Sequence, residues 1–262
     1  MAADRQRTLI VVPTFNEAHN VAHLLNRVRR AVPDADVLVV DGASPDGTAA
    51  VAGKVADELG GITVVHQPKK SGLGSAYREG FAHGLARDYD VIVEMDADLS
   101  HDPTDLPRLL RELAEGVDLV VGSRYVPGGD IPEWPWHRRL ISRIGNRYAA
   151  RVLGLHLGDA TAGFRVYAAE TLRSIRPERT RANGYAFQVE MAYRVAKRGG
   201  RIVEVPITFG DRRRGSSKMS GLIVVEAMVL VTLWGIRDRL LRRPHPNEPE
   251  SEPAAATGTA RR

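Results

Sequence analysis

The sequence predicts an α/β protein with a mostly parallel central sheet and helices on both faces. Between Thr8 and Val121, five strand candidates alternate with four helix candidates through short connections, the order that builds βαβ units rather than hairpins. The strand candidates read as unbroken apolar runs, such as LIVV at 9–12 and VLVV at 37–40, which suits strands buried on both faces. They end on loops rich in Asp, Asn, Gly and Ser, and the C-terminal edge of such a sheet is where open α/β folds place their ligands.

Taken in order, Thr8–Val12 is a β-branched run ended by Pro13, and Asn16–Val32 then spaces Val21, Leu24, Leu25, Val28 and Val32 along one helical face. Val37–Val40 is a second strand, Asp41–Gly47 (DGASPDG) has turn chemistry, and Thr48–Leu59 is a helix. Ile62–Val65 is a third strand, Ser75–Ala86 a helix, Val91–Met95 the central strand, Asp105–Ala114 a helix and Val117–Val121 a fifth strand. After Arg124 the alternation breaks at a loop rich in Pro, Gly and Trp (125–139), of the kind that serves as a lid. A helix over Leu140–Leu153, a strand at Phe164–Tyr167, a helix at Phe187–Lys197 and a strand at Ile202–Phe209 complete the core. The basic loop GDRRRGSSK (210–218) leads into a long apolar helix, Ser220–Leu241, with Arg237, Arg239, Arg242 and Arg243 at its end. The Pro- and Ala-rich remainder is expected to be disordered.

A chain of 262 residues, 43% hydrophobic and 26% charged, can bury a substantial core. It has no cysteine, so a disulfide framework, a zinc–thiolate site and a cysteine nucleophile are excluded and the cytoplasm is the default compartment. The start MAADRQRT lacks the apolar core of a signal peptide, and no window offers the roughly 18 uncharged apolar residues of a transmembrane helix. A net charge of +5 favours anionic partners: nucleic acid, a membrane surface or phosphorylated small molecules.

The stretch VIVEMDADLSH (91–101) carries the sharpest chemical signal. Asp96 and Asp98 close the apolar run one residue apart, and side chains two apart on an extended segment point to the same side. The pair can therefore converge on one divalent cation, directly or through its water shell. Either Asp alone reads better as a turn or helix-cap residue; the pair at the ligand edge favours the metal. PTFNE (13–17) offers an aromatic ring, an amide and a carboxylate for a nucleoside base, although Asn16 as a helix cap and Phe15 as core explain those residues equally well one at a time. Arg124, Arg138, Arg139, Arg212–Arg214 and Lys218 form a later basic set, and arginine's planar fork suits phosphate oxygens. Arg139, Arg213 and Arg214 read singly as solvated surface.

PTFNE, SPDGT, LGSAYREGF, MDADLSH, GSRYVPGG, TAGFR, GYAFQVEM, EVPITF and DRRRGSSKMSG, in that order, resemble the polyprenyl-phosphate mannosyltransferases of the dolichyl-phosphate mannose synthase type, and most closely the actinobacterial polyprenol-monophosphomannose synthase domain. The resemblance spans Thr8 to Leu240. It implies a glycosyltransferase A-type fold of the inverting family 2, GDP-mannose as donor, a polyprenyl phosphate as acceptor, Mg²⁺ or Mn²⁺, and a peripheral place on the cytoplasmic face of the membrane. By the same resemblance Pro13, Phe15, Glu17, Val40, Asp41 and Gly42 meet the donor nucleotide. Asp96, Ala97, Asp98 and Ser100 meet the metal and diphosphate, with Asp96 and Asp98 as metal ligands. Arg124, Arg212 and Lys218 surround the donor and reacting phosphates. Arg138 and Ser142, with Arg124 and Arg212, grip the acceptor phosphate, and Asp98, Arg124 and Arg212 are catalytic. Gly42 departs from the pattern, because the family usually has a second Asp there. The nucleoside contact is then missing or comes from a neighbour such as Asp41.

The expected organisation is a catalytic domain over 1–219, an apolar and basic helix over 220–241, and a disordered tail over 242–262. The helix would pack on the domain, dip into the membrane interface or meet a membrane-embedded partner protein. Alternatives are the same fold transferring glucose or another sugar, a haloacid-dehalogenase-like phosphatase built on VEMDADLS, and a basic nucleic-acid-binding module. The phosphatase motif expects Thr or Val where Ser100 stands. No nucleic-acid partner is expected, because carboxylates grouped at the ligand edge would repel a phosphate backbone. A dinucleotide fingerprint at Gly72 and Gly74 fails because Tyr77 holds the third glycine position.

Overall fold

The structure, a computed structural model, describes residues 6–113, 116–180, 182–210 and 221–241. Its sheet has seven strands: β1 (Thr8–Thr14), β2 (Asp36–Asp41), β3 (Ile62–His66), β4 (Val91–Glu94), β5 (Leu119–Ser123), β6 (Arg165–Ala168) and β7 (Ile202–Pro206), in the order β3-β2-β1-β4-β6-β5-β7. Every pairing is parallel except those of β6, which runs antiparallel to both β4 and β5. One reversed strand has a positional consequence. The segment entering β6 reaches the same sheet edge at which the six parallel strands end.

The helices are α1 (Val21–Ala31), α2 (Thr48–Leu59), α3 (Leu73–Leu85), α4 (Leu106–Glu112), α5 (Trp136–Leu153), α6 (Ala169–Ile175), α7 (Tyr185–Lys197) and α8 (Gly221–Leu241). Alternate residues of the central strands serve two cores. Leu9, Val11, Leu38 and Ile92 pack with Tyr77, Phe81 and Phe187 on one face, while Ile10, Val12, Val39 and Val93 pack with Leu24, Leu25 and Leu106 on the other. That division explains the unbroken apolar runs.

Three elements differ from expectation. Helix α1 begins at Val21, not Asn16: Asn16 has φ 59°, and the N–H groups of Asn16, Glu17 and Ala18 donate to Ser44 Oγ, Thr48 Oγ1 and Asp46 Oδ2 at 3.0, 2.8 and 3.1 Å. The SPDGT loop thus ties the PTFNE loop down and delays the helix. Helix α5 starts at Trp136, directly after Pro135, so Arg138 sits in its first turn rather than in a loop. Helix α6 was not expected, and at seven residues it is too short to show a period.

Helix α8 docks on α5 and α7. Val231 is buried, Trp234 stacks on Tyr193 with centroids 6.2 Å apart, Thr232 and Tyr148 share a 2.6 Å hydrogen bond, and Asp238 pairs with Lys197 and Tyr193. Helices α5 and α8 approach closely at Gly235, where an added Cβ would lie 2.4 Å from Val152 Cγ1 and 3.0 Å from its carbonyl oxygen. Alanine gains about 1 kcal/mol of helix propensity over glycine, but overpacking costs about 1–3 kcal/mol. Gly235→Ala is therefore expected to lower Tm in a thermal melt. Away from this seam α5 and α8 expose Trp136, Leu140, Ile141, Ile144, Leu233 and Leu240.

Candidate active site

A cavity of about 480 Å³ opens at the C-terminal edge of the sheet. Strand ends line it: Pro13 and Thr14 at the end of β1 with Phe15 and Glu17 after it, Gly42 after β2, Gln67 after β3, Asp96, Ala97, Asp98 and His101 after β4, and Arg124 after β5. Thr161 and Gly163 reach it from the segment that enters β6, as the reversed strand requires. A second cavity of about 270 Å³, mostly apolar, lies among α5, α7 and α8 and is lined by Ile141, Ser142, Ala149, Val189, Met228 and Val231. Arg124, Trp134, Arg138 and Thr161 line both.

The two expected metal ligands are held by different devices. Asp98 is 6% exposed, and its Oδ1 accepts from Ser100 N at 3.1 Å and Ser100 Oγ at 2.6 Å. Leu99 between them has φ 65°, the turn conformation that closes this small ring. Asp96 Oδ1 accepts from the buried Tyr77 hydroxyl at 3.2 Å, and its backbone N–H donates to His101 Nδ1 at 3.2 Å. Among the described residues no group of three or more His, Cys, Asp or Glu side chains could hold an ion. Two carboxylates on one wall fit Mg²⁺ or Mn²⁺ bound with waters and substrate phosphates, the usual way Mg²⁺ is held.

The basic residues separate. Arg124 is 6% exposed and forms a bidentate pair with Asp159: Nε to Oδ2 and Nη2 to Oδ1, both 2.6 Å, with its backbone N–H to Oδ2 at 3.1 Å and Nη2 to Thr161 Oγ1 at 2.8 Å. Burial alone would raise the Asp159 carboxyl, but the charge and hydrogen bonds of Arg124, with the charge of Arg165, together outweigh it and hold the group below the ordinary carboxylate range. Arg138 lies 3.8 Å over the Trp134 ring, at the wall shared by the two cavities. Ser142, one helical turn further along α5, lines the apolar cavity only. Arg212 and Lys218 lie outside the described residues. The basic loop departs from Gly210, whose N–H donates to Ser100 O at 3.1 Å.

Three expected contacts do not reach the cavity. Val40 is wholly buried in the core. Asp41 is buried, with Oδ1 accepting from Thr14 Oγ1 (2.8 Å) and Ser44 Oγ (2.5 Å) and Oδ2 from Ser44 N (2.9 Å), so its carboxylate holds the two first loops together. Ser100 is 1% exposed and spends its hydroxyl on Asp98, shaping the carboxylate rather than touching the cavity.

Besides Thr161 and Gly163, other residues at the site were not anticipated. Asp159 had no local signal, since its partner lies 35 residues away. His101 sits inside MDADLSH without an assigned role; it stacks on Phe164 at 4.9 Å and meets the edge of Phe209 at 5.6 Å. Burial pushes its imidazole down to about 4, against the pull of Asp98. The ring is therefore neutral at pH 7, and because Nδ1 accepts, its proton is on Nε2. Gln67 and Lys70 follow β3, with Lys70 Nζ 4.0 Å over the Phe15 ring. The strand-end rule that found the other loops also covers this one, but QPKKSG carries no carboxylate to draw attention to it. Two residues before Asp96, fully buried Glu94 is pushed up to about 8 by burial, against the charge of Arg165.

Residues 9–176 match the family described as glycosyl transferase family 2. The chain is 54% identical to the undecaprenyl-phosphate mannosyltransferase of Micrococcus luteus, covering 89% of this chain and 96% of that protein. It is 48% identical to the polyprenol monophosphomannose synthase of Mycolicibacterium smegmatis, covering 90% of each. Among solved structures, glucosyl-3-phosphoglycerate synthase from Mycobacterium tuberculosis, in complex with Mn²⁺, UDP-glucose and phosphoglyceric acid, superposes with a TM-score of 0.66 at 20% identity, covering 88% of this chain and 80% of that one. That likeness concerns the fold.

Proposed function

Because the chain belongs to glycosyl transferase family 2, we propose that it transfers mannose from GDP-mannose to a polyprenyl phosphate with inversion at the anomeric carbon. The enzyme has the glycosyltransferase A-type fold. The observation that carries the substrate reading is the junction of two unlike cavities. The more polar one, with Asp96 and Asp98, suits a nucleotide sugar, and the apolar one among α5, α7 and α8 suits the start of an isoprenoid chain. Both substrates would then bring their phosphates to the wall where Arg138 stands. The names of the two close relatives support the same pair of substrates.

A divalent cation held by Asp98 and Asp96 would neutralise the leaving diphosphate, and the Mn²⁺ in the structural neighbour's complex supports such an ion. Ser100 and Tyr77 fix these two carboxylates in advance, so little reorganisation accompanies the reaction. The acceptor needs no strong general base, because a phosphate monoester with a second pKa of about 6 is already anionic near pH 7. Positioning is the larger task. Arg138, its guanidinium resting on Trp134, would hold the acceptor phosphate in line with the anomeric carbon. Arg212 and Lys218 would offset charge on the donor side.

A lipid acceptor requires access to a membrane. Among the described residues no helix is long and apolar enough to cross one. The apolar residues exposed on α5 and α8, with Arg143, Arg147, Arg237 and Arg239 exposed on the same helices, suit a peripheral position on the anionic cytoplasmic face. A membrane-embedded partner protein would meet the same two helices.

The test is a panel of radiolabelled GDP-mannose, GDP-glucose and UDP-glucose incubated with polyprenyl phosphate and Mg²⁺, following label into organic solvent. Labelling from GDP-mannose alone is expected. Labelling from a glucose donor alone would replace the sugar, and phosphate release without lipid product would replace the reaction. Within that assay Arg138→Ala should raise KM for polyprenyl phosphate about tenfold or more, the loss of one charged hydrogen bond, and leave KM for the donor unchanged. The reverse pattern would move Arg138 to the donor side.

A further inference from the structure

Gly42 leaves a gap in the wall of the larger cavity, and the structure shows what faces it. Gln67, one residue past β3, is 7% exposed and lines the larger cavity with Gly42 and Phe15. Its backbone is fixed by a hydrogen bond from its N–H to Asp41 O at 2.8 Å, which extends the β2–β3 ladder. Its Nε2 donates to Glu79 Oε2 at 2.8 Å. A carboxylate only accepts, so Glu79 selects the orientation of this amide: nitrogen towards Glu79, carbonyl oxygen away. That oxygen, Oε1, lies 3.9 Å from the point a Cβ on Gly42 would occupy. Asp41 does not line the cavity; it is buried, with Thr14 and Ser44 donating to its carboxylate.

We propose that Gln67 selects the base of the nucleotide donor, its Oε1 accepting an N–H from the base edge and supplying from β3 the acceptor that Gly42 does not supply from β2. The proposal rests on the reading of the larger cavity as a nucleotide-sugar site. Phe15 offers a flat ring to any base, so stacking contributes affinity without choice. Selection requires a directional group. Guanine presents N1–H and a 2-amino group on its Watson–Crick edge, both donors, whereas adenine presents a bare N1 acceptor at the equivalent place. A fixed carbonyl oxygen therefore favours guanine and repels adenine, and a site that leaves a buried polar group unpaired rejects the wrong ligand strongly.

The alternative role for Gln67 is to tie β3 to α3 through Glu79, and the two are separable by calorimetric titration of GDP and ADP, each with Mg²⁺, into the full-length protein. Wild type should prefer GDP. Gln67→Met keeps the length and loses the acceptor, so GDP should weaken about tenfold or more while ADP, with the same stacking area and no opposing oxygen, should hold or tighten. Gly42→Asp in that background should recover much of the GDP affinity; its Cβ finds ordinary contacts, the nearest 3.4 Å from Thr14 O. Glu79→Gln, which leaves Gln67 in place and frees its amide to turn over, should weaken GDP and tighten ADP. Equal weakening of GDP and ADP by Gln67→Met, or unchanged GDP binding, would overturn the role of Gln67 while leaving the nucleotide site standing. A wild-type protein that binds neither nucleotide would overturn the reading of the cavity and this inference with it.

Discussion

Asp98→Asn should lower kcat by about a hundred- to a thousandfold, the loss seen when one preorganised group facing developing charge is removed, and should leave Tm unchanged. The expectation follows from what the side chain does on each of its two sides. Towards the protein, Oδ1 accepts from Ser100 N and Oγ, and the oxygen of an asparagine amide can keep both bonds, so the turn around Leu99 survives. Towards the cavity, the substitution removes the negative charge that a hard cation requires. Stability and activity should therefore part company. Titration of Mn²⁺ with GDP present, followed by electron paramagnetic resonance, should show weakened binding in the variant; full turnover without added metal would remove Asp98 from the metal site.

Arg124→Ala should destabilise the protein by about 3–5 kcal/mol, the cost of stranding one member of a buried ion pair. Asp159 is wholly buried and takes two hydrogen bonds from the Arg124 guanidinium besides the one from its backbone N–H, so the variant removes the cation and both side-chain bonds and leaves a buried carboxylate with only weaker neutral donors. The sign of the pH dependence follows from the direction of the Asp159 shift. A folded-state value below the unfolded one, near 4, means that the stabilisation is present above about pH 4 and is lost as pH falls through the folded value. Denaturant unfolding at pH 7 should thus show the full deficit, and the two proteins should converge in acid. Replacing both partners by Arg124→Met and Asp159→Leu should restore most of the stability. If turnover returns as well, Arg124 acts only through the fold; if it stays low, the guanidinium also meets phosphate across the shared wall.

What this chain determined from its sequence alone is local in origin. Strands buried on both faces announce themselves as unbroken apolar runs, and α2 begins and ends at the expected Thr48 and Leu59. The placing of Asp96 and Asp98 at the ligand edge needed only an apolar strand followed by a polar turn, because strand ends in a parallel sheet share one side. The remaining features depend on residues remote in sequence, for which no local pattern exists. Only the tertiary structure decided that β6 runs backwards and so brings Thr161 and Gly163 to the cavity, and that Arg124 is half of a buried pair with Asp159. Likewise, Asp41 belongs to the loop lock while Gln67 faces the gap at Gly42. A side chain's chemistry can be read from its letter, but whether that chemistry is spent inside the protein or offered to a ligand depends on which distant partner reaches it first.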